Sequence, residues 1–150
     1  MARAVDERVA GRPLGLLPRA GAGVEGGLRL VLGAILERLE VWAEEKGIQL
    51  SKYLITNGTL LNEERAKYLH SHGVSIQVSV DGDKKTHDRF RILKSGAPTL
   101  DRIYPNIQRL REIGAKFNLR AVMTSANPDP GAVTDGLRSL GGEKVSYEVV

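Results

Sequence analysis

Residues 73–82 read Gly73-Val74-Ser75-Ile76-Gln77-Val78-Ser79-Val80-Asp81-Gly82, and the fold class follows from them. Val74, Ile76, Val78 and Val80 alternate with Ser75, Gln77 and Ser79, the period of two that marks a half-buried strand. A glycine precedes the strand and an Asp-Gly turn former follows it. Just upstream, Asn62-Glu63-Glu64 supplies an N-cap and first-turn acids, and Ala66 and Leu69 face inward along a helix that stops at Gly73. A helix ended by glycine and followed by an apolar strand is the unit that the rest of the chain repeats.

On the N-terminal side, Leu28, Leu32, Ile35, Leu39 and Trp42 recur at three- and four-residue steps before Gly47, and Ile48 to Thr56 reads as a buried strand. On the other side a helix begins after Thr99, carries Ile103, Ile107 and Leu110 on one face and stops at Gly114. Pro105 inside it is expected to bend or shorten it. The strand Lys116 to Met123 follows. Asn127-Pro128 serves as cap and first position of a weaker helix through Leu137 and Leu140, closed by Gly141-Gly142 before a last strand, Val145 to Val150. Four such units predict an α/β fold with a parallel sheet. Residues 1–27, rich in glycine and holding Pro13 and Pro18, show neither period and read as an irregular or disordered leader to a core over 28–150.

Composition narrows the classes. The 150 residues hold 22 Lys plus Arg against 18 Asp plus Glu, with 41% hydrophobic residues and no cysteine. A chain of this length buries about 70% of its unfolded surface, enough for one domain without disulfides. Zero cysteine removes thiolate zinc sites, cysteine nucleophiles and protein-held iron–sulfur clusters. The isoelectric point near 9.5 arises from a small excess of base that is spread along the chain, and the few aromatics are not interleaved with arginine, which argues against nucleic acid as a partner. No run approaches the ~20 apolar residues of a membrane helix. With Asp6 and Glu7 early, the N-terminus makes a poor signal peptide, so no membrane association and a cytoplasmic location are expected.

Loops after the carboxyl ends of parallel strands carry the chemistry of such folds. Those ends hold Thr56-Asn57-Gly58-Thr59, then Ser79 and Asp81-Gly82, then Arg120 with Thr124-Ser125. Hydroxyls, an amide and backbone N–H groups on one rim can grip a polar small molecule. Turn formers are also what any strand end needs, and spacing alone leaves both readings open. A polar loop, Asp81 to Pro98, is inserted after the second strand and lengthens the middle connection.

Taken in order, Ile55-Thr56-Asn57-Gly58-Thr59-Leu60-Leu61, Val78-Ser79-Val80-Asp81-Gly82, His87-Asp88-Arg89-Phe90-Arg91 and Gly96-Ala97-Pro98-Thr99-Leu100-Asp101-Arg102-Ile103 resemble the second half of a radical S-adenosylmethionine (SAM) core. The likeness is greatest to the sulfatase-maturase and peptide-modifying group whose members often carry a SPASM extension, and it covers about residues 28 to 150. It implies a partial (βα) barrel of parallel strands, of which this chain supplies about four βα units, strands three to six of six. It implies SAM and a 4Fe-4S cluster as cofactors, reductive cleavage of SAM to a 5′-deoxyadenosyl radical, and a peptide or protein substrate. In the family the Thr-Asn-Gly strand end lines the floor of the SAM site, here Thr56, Asn57 and Gly58. The Ser-x-Asp-Gly serine and a downstream arginine hold the methionyl or ribose part, here Ser79, with Asp81 beside it, and Arg91. Arg120 stands on the next strand, where a polar residue often faces the ligand. An arginine fork suits a carboxylate, and a solvated loop charge is an equal reading of Arg91.

Two family features are absent: the C-x3-C-x2-C loop that holds the cluster, and the Gly-Gly-Glu-Pro segment that grips the SAM amino group. The expectation is a core without its first third, inactive on its own. Alternatives are a non-catalytic binding or interaction module derived from that fold, or a small α/β nucleotide-binding domain. An unpaired edge on the first strand, about Gln49 to Thr56, is expected to promote self-association. His70-x-His72 reads as favourable charge at a helix end, and Asp81-x-Asp83 with His87-Asp88 as at most a minor divalent-metal option.

Overall fold

Four short strands pair in the order in which they occur in the chain, and all of them run parallel. The computed structural model describes the backbone of residues 24–150 and the side chains of residues 33–150. The element order is α1 (Val24–Lys46), β1 (Tyr53–Thr56), α2 (Glu63–Ser71), β2 (Ser75–Ser79), α3 (Lys84–Phe90), α4 (Leu100–Glu112), β3 (Phe117–Met123), α5 (Pro130–Ser139) and β4 (Val145–Val149). The chain divides into two units, one ending at Gln49 and the other spanning Leu50–Val150. The first holds α1, which starts at Val24, inside the segment expected to be irregular; the rest of that leader, residues 1–23, lies outside the described residues. Ile35, Leu39 and Trp42 of α1 are exposed.

In the second unit the alternation read from residues 74–80 decides the architecture. Ile76 and Val78 are buried while Ser75, Gln77 and Ser79 are half-buried; on β3 Leu119, Ala121 and Met123 are buried while Asn118, Arg120 and Val122 are half-buried. Sequential parallel strands send every crossover to the same side. The apolar face of the sheet therefore meets Ala66 and Leu69 of α2, Ile103, Ile107 and Leu110 of α4, and Val133 and Leu137 of α5, all buried. The opposite face is open, largely polar on β2 to β4 and carrying Tyr53 and Ile55 on β1.

Helix ends agree with the sequence reading at α2, where the Asn62 side chain accepts from the Arg65 N–H at 2.9 Å and the Gly73 and Val74 N–H groups return to the carbonyls of His70 and Leu69. Gly73 has φ +63°, which a residue with a Cβ adopts at a cost.

Four expectations need correction. β1 is not a buried strand: Tyr53 and Ile55 are 68% and 59% exposed, because β1 is an edge and one of its faces is uncovered, so an apolar run there does not require two covered faces. The polar insertion is not all loop but contains α3, capped by Asp83, whose side chain accepts from the Thr86 N–H at 2.9 Å. Pro105 does not shorten α4, which runs 13 residues through it; Pro105 is exposed, so water can serve the carbonyl it leaves unpaired. The cap of α5 is Asp129, with Pro130 as first residue, and Asn127 is buried beneath it.

α5 reaches the β2 exit through Gly136: a Cβ there would lie 2.4 Å from the Asp83 nitrogen and 2.8 Å from the Gly82 carbonyl carbon. Backbone cannot yield as a flexible side chain does. Gly136→Ala is expected to lower stability by about 1–3 kcal/mol, read as a lower urea midpoint at unchanged slope; an unchanged midpoint would show that helix and turn are not in contact.

Candidate functional site

All four strands end on one rim, and the exits of β1, β2 and β3 are each fixed by polar side chains. At the β1 exit Thr56 Oγ1 accepts from the Gly58 N–H at 3.1 Å, and Asn57 Oδ1 accepts from the N–H and hydroxyl of Thr59 at 3.1 and 2.9 Å. Gly58 sits at φ +75°, and a Cβ on it would stand 2.9 Å from Val78 Cγ1 and 3.0 Å from Ile103 Cγ2. Only glycine meets both demands. Asn106 of α4, itself buried, donates its amide to the Gly58 carbonyl at 2.9 Å and holds the turn against the helix.

The β2 exit is built around Asp81, which is 5% exposed. Its carboxylate receives Arg91 Nε at 2.6 Å on one oxygen and Arg91 Nη2 at 3.0 Å on the other, and the Val122 N–H of β3 at 3.1 Å. Its own N–H donates to His87 Nδ1 at 3.3 Å. That assigns the proton of the neutral ring to Nε2, which donates to Thr99 Oγ1 at 3.0 Å; Thr99 in turn donates to the Arg91 carbonyl at 2.6 Å. The circuit closes with every proton accounted for. Burial pushes His87 below its ordinary value of 6.5, and the nearby Asp81 charge opposes this less strongly. Asp88 accepts from the Thr99 and Leu100 N–H groups at 3.0 and 2.9 Å and so caps α4, whose own N-cap side chain makes no such bond. Partial burial works against ionising Asp88, but these amides and Lys84 outweigh it and hold its carboxyl below the ordinary 3.8.

Asn127 closes the rim at β3, accepting from the Thr124 N–H at 2.7 Å and donating to the Val122 carbonyl at 2.9 Å. On the open face Ser79 lies in register with Arg120, and Arg120 with Ser146. Arg120 forms an ion pair with Glu148, and Gln77, its amide assigned with the oxygen toward the guanidinium because that orientation alone satisfies both groups, accepts from Nε and Nη1 at 3.2 Å each. Asn118 donates to Ser146 at 3.0 Å.

Of the residues singled out in the sequence, Thr56, Asn57, Gly58 and Ser79 thus stand at adjacent strand exits, Arg120 is in register with Ser79, and Asp81 and Arg91 are joined to each other. Asp83 caps a helix, and among the described residues no group of three His, Cys, Asp or Glu could hold a metal ion; the minor divalent-metal option is not met. No helix among the described residues is long and apolar enough to cross a membrane. Sequence reasoning missed His87, Asp88, Thr99, Asn106 and Asn127 as the frame of the rim. The Asp83-to-Thr86 spacing signalled α3, and with it the inward face that carries His87; nothing local marked Asn106.

Comparison with known proteins agrees with this architecture. No family model matches the chain. The serine-type anaerobic sulfatase-maturating enzyme of Bacteroides thetaiotaomicron is 30% identical over 84 residues, 56% of this chain and 20% of that protein. The serine-type enzyme of Klebsiella aerogenes is 30% identical over 103 residues, 68% of this chain and 25% of its own length. Fe-coproporphyrin III synthase of Methanosarcina barkeri is 36% identical over 93 residues, 61% of this chain and 22% of that protein. The chain thus spans about a fifth to a quarter of the curated relatives it matches. Among solved structures, native anSMEcpe with bound AdoMet superposes with a TM-score of 0.72 at 23% identity, over 80% of this chain and 33% of that one. The fold is that of these proteins, and the radical SAM resemblance read from the sequence stands on their relatedness.

His87 gives the site a pH signature. The unfolded chain takes up a proton near the ordinary value of 6.5, while folded His87 resists until lower pH, so the unfolded state binds more protons in between and stability falls as pH drops below about 6.5. Thermal melts from pH 7.5 to 5.5 are expected to show this decline, and His87→Gln to flatten it. An equal slope in both proteins would mean that the ring is not held neutral.

Proposed function

We propose that this chain supplies the SAM-holding part of a radical SAM core. The observation that carries the reading is that Thr56-Asn57-Gly58 and Ser79 end adjacent strands on one rim, with Arg120 in register with Ser79 on the open face of a sheet that shares its fold with AdoMet-bound proteins. SAM is an adenosine, a sulfonium and an α-amino acid in one molecule. Hydroxyls and amides suit the ribose and an arginine suits the methionyl carboxylate; the first group is supplied by Thr56, Asn57 and Ser79, the second by Arg120. Asp81 and Arg91 serve the site by fixing the loop beside Ser79.

Bound SAM is a source of the 5′-deoxyadenosyl radical once an electron reaches its sulfonium. The 4Fe-4S cluster that delivers the electron needs thiolate ligands, and none of the 150 residues is cysteine. The cluster does not fit this chain, and no cleavage step is assigned to it. That absence favours a role in holding SAM and facing the substrate over one in cleaving. A peptide or protein is the substrate class proposed, supported by solved relatives in the same fold that carry AdoMet together with the Kp18Cys or the Cp18Cys peptide.

Calorimetry tests this directly. SAM is expected to bind the purified chain, and Ser79→Ala to weaken it by about 1–2 kcal/mol, the worth of one ligand hydrogen bond, at unchanged melting temperature. Absence of SAM binding would remove the reading. Anaerobic treatment with iron and sulfide is expected to yield neither cluster absorbance nor SAM cleavage; stoichiometric iron with cleavage would overturn the assignment of a holding role.

A further inference from the structure

The β2–β3–β4 part of the sheet carries two arginine–carboxylate pairs of opposite character. Arg91 and Asp81 have side chains 29% and 7% exposed, and the Asp81 carboxylate also serves the Val122 N–H. To pull Arg91 away would strand a buried carboxylate, the costly way to break an ion pair. Arg120 and Glu148 differ: the arginine is 27% exposed, but its carboxylate partner is 49% exposed and lies on the edge strand β4. Released, Glu148 returns to water at little cost. Arg120 does not swing free when Glu148 leaves, because Gln77 still holds it through Nε and Nη1. Its Nη2 edge, the one that Glu148 occupies, then faces the open side of the sheet, with Ser79 in register beside it.

We propose that Glu148 is a resident competitor for Arg120, occupying the guanidinium edge that a ligand carboxylate takes over. The inference rests on the SAM reading above, and the carboxylate is that of the methionyl group. Gln77 is the positioning residue that keeps the fork aimed while its anionic partner is exchanged. An α-carboxylate has the charge and planar two-oxygen shape of the glutamate that it displaces, so binding trades one ion pair for another. The affinity of this chain for SAM is thereby set below what Arg120 alone would give, by the strength of the pair that must first open.

The test compares SAM with 5′-methylthioadenosine, which keeps the nucleoside and lacks the amino-acid carboxylate, on the wild-type chain and on Glu148→Gln. Removing the competing charge is expected to raise SAM affinity about three- to fivefold, the equivalent of an exposed ion pair. It should leave methylthioadenosine affinity and the melting temperature unchanged. Arg120→Gln should abolish the preference for SAM over methylthioadenosine. A gain for both ligands, or an equal SAM affinity in wild type and Glu148→Gln while both bind, overturns the competitor role and leaves the SAM reading standing. Failure of every protein to bind either nucleoside overturns both.

Discussion

One buried carboxylate organises the functional end of this protein. Asp81 joins β2 to β3 through the Val122 N–H, draws Arg91 back from the end of α3, and offers its own N–H to His87. Buried charge is tolerated where it is paired and hydrogen-bonded, and here the carboxylate's partners come from the end of α3 and from β3. The turn after β2 therefore cannot move without exposing or stranding a charge. Ser79, two residues away, inherits that rigidity, and so does the register in which it faces Arg120.

The open face has the opposite character. Gln77, Asn118, Arg120, Ser146 and Glu148 form cross-strand polar contacts. Such contacts between half-exposed groups are weak one by one, so they orient hydrogen-bonding groups while leaving an individual pair open to exchange. This polar surface lies beside an exposed edge at β1, where Tyr53 and Ile55 are uncovered.

Much of this was legible in the sequence because it depends on local rules. The alternation from Val74 to Val80 determined which face of β2 is buried, and glycines at 47, 73, 114 and 141 marked helix ends at positive φ. The resemblance carried by Thr56-Asn57-Gly58 and Ser79-Val80-Asp81-Gly82 pointed to the rim. What was not legible depends on partners distant in sequence. Asn106 finds Gly58 across 48 residues and Asp81 finds Val122 across 41; neither pairing leaves a local signature. Arg91 could be weighed only as a ligand or a solvated charge, because its third option, a buried carboxylate ten residues back, exists only once α3 has formed. The cap of α5 was misread by two residues because Asn127-Pro128 and Asp129-Pro130 are equivalent signals until burial of Asn127 separates them.

Capping of α4 by Asp88 bears on how this loop can vary. The first turn of α4 takes its hydrogen bonds from a residue on α3, eleven and twelve positions earlier, and Lys84 draws Asp88 and Asp101 together from the same side. The intervening residues 92–98 form a small excursion closed on itself by the Ile92–Pro98 bridge and by the Leu93 and Gly96 amides. Because the helix start is anchored from outside that excursion, a change in its length is expected to leave the rim in place. Residues 93–97 are thus a natural point for a graft or an inserted tag, where extra chain loops outward and the geometry at Ser79 is preserved.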